Sequence, residues 1–187
     1  MADRMDRILV VDIESTCWKG NPPPGQENEI IEIGLCLLDI ATLHLLENRS
    51  ILVRPEHSTV GPYCSELTTL TQEKVAGGIS LREACQVLEK DYYSRERIWA
   101  SFGDYDRLQF ERNCRARGIP YPFGSRHINI RCLFAVMHGL SREVRTGEAL
   151  QMLGLAREGT HHRGGDDAWN VARILAALLR LGRKVER

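Results

Sequence analysis

The chain has 187 residues, with 25 Lys plus Arg against 25 Asp plus Glu, so its formal net charge is zero. That length holds one domain with a substantial core and hardly two, and the neutral balance argues against a protein that coats long stretches of nucleic acid by electrostatics alone. No apolar run approaches the roughly 20 residues that span a bilayer, and the short run near the start leads straight into acidic residues, unlike a signal peptide; a cytoplasmic protein with no membrane partner is expected.

In chain order, Ile8 to Val11 reads as a buried strand that delivers Asp12 and Glu14 at its far end. A loop over 19–25, with three consecutive prolines between glycines, cannot be regular structure. Glu29 to Ile40 and Leu45 to Val53 read as two further strands, and three adjacent strands suggest an antiparallel meander. From Leu67 the period changes. Thr71 to Val75 and a segment opened by Ser80 look helical, with Glu83 placed to complete a capping box. Ile98 to Phe102 is a short apolar strand. Asp106 to Arg117 reads as a helix ended by Gly118 and Pro120, His127 to Ile130 as a last short strand, and Cys132 to His138 and Glu148 to Leu153 as helices. Asp167 to Leu181 is the clearest helix, with Val171, Ile174, Leu175, Leu178 and Leu181 on one stripe. Strands first, then strands alternating with helices, predicts an α/β domain on a mixed sheet.

Strand residues two apart share a face, so Asp12 and Glu14 place two like charges side by side at the end of a core strand. Further carboxylates recur where other elements begin. The segment Ser101 to Asp106 follows a strand and opens a helix, and His161 to Asp167 opens the last helix. Four carboxylates converging from Asp12, Glu14, Asp106 and Asp167 would repel severely in a desolvated cleft. Hard divalent cations, Mg²⁺ or Mn²⁺, remove that repulsion, and two of them together can clamp the attacking and leaving oxygens of a phosphodiester. His162, five residues before Asp167, has the side chain suited to take a proton from an attacking water.

These motifs, VDIES (12 and 14), GDYD (106) and HRGGDD (162 and 167), resemble the DEDDh group of 3′→5′ exonucleases in the DnaQ-like or RNase T-like superfamily. STC after Glu14, the GNPP loop, ENEIIEIG, CSELTTLTQEKV and DDAWNVARIL resemble one branch of it, the KapD-like proteins and the exonucleases that trim histone-mRNA and small-RNA 3′ ends. The resemblance runs from about residue 7 to 182, so one exonuclease domain over 1–187 is expected, with no appended RNA-binding domain. It implies an RNase H-like mixed five-stranded sheet, three antiparallel strands plus parallel ones, flanked by helices. It implies a hydrolase that uses two divalent ions held by Asp12, Glu14, Asp106 and Asp167, with His162 as general base. Ser15 and Thr16 would approach the terminal nucleotide, Tyr105 would pack on its base or sugar, and Leu67 and Thr68 would wall the pocket. The substrates implied are single-stranded RNA or DNA 3′ ends, RNA favoured, with nucleoside 5′-monophosphate as product. The spacing also admits Asp104 for Asp106, and His161 with Asp166 for His162 with Asp167; Tyr105-Asp106 and the segment after Asp167 favour the first of each pair.

Other features have ordinary readings. The cysteines at 17, 36, 64, 85, 114 and 132 form no CxxC pair and read as buried reduced thiols. Arg112, Arg115, Arg117, Arg126, Arg142, Arg145 and Arg163 read as a solvated face or as a phosphate track, with Arg163, beside the candidate base, the one placed to bind substrate. Arg180, Arg183, Lys184 and Arg187 read as a solvated helix end, and Trp99 and Trp169 as core, while Trp18 is either core or exposed on a substrate-facing loop. A DNA exonuclease of the same mechanism and a catalytically silent binding module are the rival functions.

Overall fold

The computed structural model describes residues 4–184. One sheet of five strands carries the fold, in the order β3-β2-β1-β4-β5. The strands are β1 (Arg4–Ser15), β2 (Ile30–Asp39), β3 (Leu45–Leu52), β4 (Arg97–Ser101) and β5 (His127–Asn129). The first three pair antiparallel, and β4 and β5 run parallel to β1. The helices are α1 (Pro62–Thr68), α2 (Gln72–Ala76), α3 (Leu81–Tyr92), α4 (Tyr105–Ala116), α5 (Ile130–Met137), α6 (Thr146–Met152) and α7 (Gly164–Lys184).

The alternation of β1 builds two cores. Leu9, Val11 and Ile13 face a layer that contains Leu88 of α3 and Phe110 of α4. Ile8 and Val10 face the opposite layer, where Val171, Ile174, Leu175 and Leu178 of α7 pack with Phe134 of α5. Asp12 and Glu14 share the parity of Ile8 and Val10, so they emerge on the α7 side. β1 and β4 are parallel, so their C-terminal ends share one edge of the sheet, and α4 starts from that edge.

The fold class and the meander agree with the sequence reading, and Ser80 and Glu83 make the expected capping box. The differences are local. β1 runs through the carboxylates to Ser15, as their shared face required, and begins earlier than the apolar run, at Arg4. α1 was not expected; it is short, opens on Pro62 and has no apolar periodicity. α7 begins three residues early, at Gly164, because its first amide is capped from β2: Glu32 Oε2 accepts from Gly164 N at 2.8 Å. Leu181 is 45% exposed and lies off the buried stripe.

The basic residues agree only in part with the solvated reading. Arg117 has a side chain only 7% exposed, lying between Glu29, Glu27 and Glu56. Glu29 accepts in addition from the backbone N–H groups of Glu56, His57 and Ser58. Burial pushes the Glu29 carboxyl up, but these donors and Arg117 hold it below its ordinary value. Arg180 and Arg183 are exposed, as a solvated helix end predicts, and they also donate to backbone carbonyls at Leu43, Ala41 and Ile40. The Lys184 side chain and Arg187 lie outside the described residues. Cys36, Cys64, Cys85 and Cys114 are buried, but Cys17 is half-buried and Cys132 exposed. Trp99 is core, whereas Trp169 is partly buried and donates Nε1–H to Glu158. Among the described residues no helix is long and apolar enough to cross a membrane.

Candidate active site

A cleft opens where β1, β4 and the start of α7 meet. Asp12, Glu14, Ser15, Leu67, Tyr105, Asp106, His161, His162 and Asp167 line it, with Ile13, Cys17, Phe102, Arg131 and Thr146. Each candidate carboxylate arrives for a local reason. Asp12 and Glu14 come from the last turns of the β1 alternation. Asp106 stands in the first turn of α4, and its Oδ1 accepts from Ile13 N at 3.0 Å. Asp167 stands in the first turn of α7, and its Oδ2 accepts from His162 N at 2.7 Å.

The start of α7 is brought to β1 by glycine. A Cβ at Gly34 would lie 1.8 Å from the carbonyl carbon of Gly164. Gly34 pairs with Asp12 across the β1–β2 ladder. No side chain other than hydrogen fits between that strand pair and the helix.

Carboxylate oxygens of Asp12, Glu14 and Asp167 lie within 4.8 Å of one another. Burial and then the Asp106, Asp167, Glu14 and Glu32 charges push Asp12 well above its ordinary range. Burial, followed by Asp167 and Glu32, pushes Glu14 up to about 8. Burial also raises Asp106, to about 6, against the opposing Ile13 amide and Arg131. Glu32 adds a fifth carboxylate behind the cleft. It pairs with Glu14 across the β1–β2 ladder, is fully buried, and is held by Arg163 at 2.9 Å. Arg157 pairs with Asp167.

Such a set fits divalent cations. The donors are hard oxygens, they converge, and their charges repel until a cation joins them. The Ser15 hydroxyl is buried beside them with no hydrogen-bond partner among the described residues. His162 lies next to the set, its Nδ1 4.0 Å from Glu14 Oε1.

The two aspartate choices resolve in position, whereas His161 and His162 both line the cleft. Asp104 stands at the N-cap position of α4 without capping a helix amide, its side chain accepting from Arg107 and Asn129, and Asp106 alone of that pair lines the cleft. Asp166 turns away to Thr160 N, and Asp167 joins the carboxylates. Three expected substrate contacts are placed otherwise. Thr16 is fully buried; its hydroxyl bonds Glu27, and its N–H and C=O are taken by Glu29 and Asn28. Thr68 is fully buried, its hydroxyl bonding back to Cys64 C=O within α1. Arg163 is committed to Glu32. Trp18 is half-buried and does not line the cleft.

Arg131, Arg157 and Glu32 are site residues that the sequence reading missed. Arg131 lines the cleft from the first turn of α5, its Nε buried without a partner among the described residues. Glu32 lies within ENEIIEIG, which carries only a branch resemblance, and Arg131 and Arg157 lie in none of the resembling motifs. Glu32 reaches the site through a partner distant in the chain, Arg163, whereas Arg157 pairs with Asp167 ten residues on.

A parallel-antiparallel sheet of this order, with acidic residues from β1, α4 and α7 around one cleft and a histidine beside them, defines a nuclease-type site of the RNase H-like class. The family profile described as Exonuclease, the RNase T family, matches residues 9–175. The chain belongs to that exonuclease family. The human "3'-5' exoribonuclease 1" is 32% identical over 190 aligned positions, which cover 95% of this chain and 53% of the relative. The Drosophila melanogaster "3'-5' exonuclease Snipper" is 27% identical, covering 94% of this chain and 70% of the relative. The crystal structure of the nuclease domain of 3'hExo, a DEDDh family member bound to rAMP, superposes with a TM-score of 0.84 at 29% identity. That superposition covers 97% of this chain and 96% of that one. The chain thus spans about half the length of the human relative while matching nearly the whole of the isolated nuclease domain.

Proposed function

We propose that this protein is a metal-dependent 3′→5′ exonuclease that hydrolyses the terminal phosphodiester of single-stranded nucleic acid, RNA preferred, and releases nucleoside 5′-monophosphates. The observation that carries the reading is the convergence of Asp12, Glu14 and Asp167 within 4.8 Å, with Asp106 and His162 in the same cleft. Asp12, Glu14 and Asp167 would hold one divalent ion, and Asp12 with Asp106 a second. Bound there, Mg²⁺ or Mn²⁺ would supply charge neutralisation and Lewis acidity toward the phosphoryl oxygens.

The chain's own residues do the rest. His162 Nδ1 or Nε2 takes the proton from the attacking water; the ring is part-exposed and reaches the space beside Glu14. Tyr105, 54% exposed at the mouth, and Leu67, 37% exposed, offer apolar faces to the terminal base, contacts that tolerate any sequence. Ser15 lines the same cleft beside Tyr105. Arg131 brings positive charge to the cleft, where it can meet a phosphate oxygen. The preference for RNA is supported by the exoribonuclease names of the relatives and by the rAMP held by the related domain.

The test is to incubate the purified chain with 5′-labelled single-stranded RNA and the same sequence as DNA, with Mg²⁺ or Mn²⁺ and with EDTA. A metal-dependent ladder that shortens from the 3′ end, faster on RNA, is expected. A faster DNA ladder would overturn the substrate preference, and no cleavage of either by the folded protein would overturn the activity.

A further inference from the structure

The oxygen donors are not the only metal-ligating cluster in the cleft. His161 and His162 stand side by side on the loop before α7, with ring centroids 3.8 Å apart and 27° between the planes. One nitrogen of each ring and a carboxylate oxygen of Asp167 lie within 4.8 Å of one another. Two imidazoles and one carboxylate are a poor set for Mg²⁺, which keeps oxygen ligands and octahedral geometry. They are a good set for Zn²⁺, which takes three protein ligands and a water in tetrahedral geometry.

We propose that His161, His162 and Asp167 form a transition-metal site, zinc-type in its chemistry, that overlaps the oxygen-donor site at Asp167. Tetrahedral zinc–nitrogen bonds of about 2.0–2.1 Å set the donors roughly 3.4 Å apart, so the trio has to draw in by rotation of the side chains. His161 is exposed and already lines the cleft, stacked on His162, whose backbone is left-handed with φ of 59°. Arg157, on the same loop, holds one Asp167 oxygen and is the internal cation that an ion at this position displaces.

The consequence is inhibition. An ion on this trio occupies His162 and Asp167 together, removing the proposed base and one carboxylate from the oxygen-donor set. The site itself stands on the trio's geometry alone, whereas its inhibitory effect rests on the nuclease reading.

The test reads metal binding first. The metal-free full chain is titrated with Zn²⁺ in competition with a chromogenic zinc chelator, in excess Mg²⁺, and with Co²⁺ while visible absorption is recorded. Wild type is expected to bind one zinc per chain and to give the intense absorption of tetrahedral cobalt. His161→Ala is expected to lose zinc affinity by at least about 10-fold, the lower end of what losing even an outer-sphere partner costs. Asp12→Ala, which disables the oxygen-donor set but spares the trio, is expected to keep the affinity. Zinc inhibition of hydrolysis, normalised to each variant's zinc-free rate, should weaken in His161→Ala in parallel. Zinc binding that follows His161 supports the site even in a preparation that cleaves nothing. Equal zinc affinity in His161→Ala and wild type, or loss of affinity in Asp12→Ala, would place zinc among the carboxylates and overturn the inference.

Discussion

Replacing Glu14 by glutamine removes one charge from a buried like-charged cluster while keeping the side chain's shape. The Glu14 carboxyl stands at about 8 in the folded chain against an ordinary 4.5. A raised carboxyl favours the folded state when protonated, so its cost is absent below about pH 4.5, grows as pH rises, and is complete above about pH 8. At pH 7 that cost is about 3 kcal/mol, and above pH 8 it approaches about 5 kcal/mol. In EDTA, Glu14→Gln should therefore unfold about 6–12 °C higher than wild type at pH 7. The advantage should shrink toward pH 5, where wild-type Glu14 is protonated. With saturating Mn²⁺ or Mg²⁺ the order should narrow or reverse, because wild type gains binding free energy through a ligand that the variant lacks. Thermal denaturation followed by circular dichroism across this pH range, with and without metal, reads all three effects. A variant no more stable than wild type in EDTA at pH 7, or an advantage independent of pH, would refute burial, reinforced by the neighbouring carboxylates, as the cause of the raised Glu14.

Three further outcomes are expected. His162→Ala should lower the hydrolysis rate about 10²–10⁴-fold while leaving metal-induced stabilisation intact; a wild-type rate would move the base elsewhere. Arg117→Ala should destabilise the fold by about 3–5 kcal/mol, because it leaves Glu29 and its neighbours without their buried cation; chemical denaturation checks this. Gly34→Ala should destabilise by about 1–3 kcal/mol or more and weaken metal binding with it, since the added methyl meets the Gly164 backbone rather than a movable side chain; a variant with unchanged metal affinity would show that α7 can shift without disturbing the site.

The sequence showed the parts of the fold that are written locally. Strand alternation placed Asp12 and Glu14 together, the Ser80–Glu83 pair marked the start of α3, and the α7 stripe fixed its buried face. The candidate carboxylates were legible because each sits where an element begins or ends. What could not be read depends on distant pairs. The early start of α7 needs Glu32, 132 residues back along the chain. Arg163 is drawn from the cleft by that same carboxylate. Thr16 and Thr68 flank the cleft in the chain, but their hydroxyls are needed by backbone carbonyls in the loop and in α1. α1 left no periodic trace because seven residues bury only Cys64 and Thr68.

The contact between Gly34 and Gly164 bears on how the protein ages in sequence. Because strand and helix meet main chain to main chain, the spacing of Asp12 and Asp167 does not depend on the size of any packed side chain at that point. Core residues deeper along α7 can be exchanged for others of similar volume without resetting the cleft. Positions 34 and 164, in contrast, offer no route through intermediate sizes, so tolerance to substitution should fall off sharply at this one crossing and recover a helical turn away.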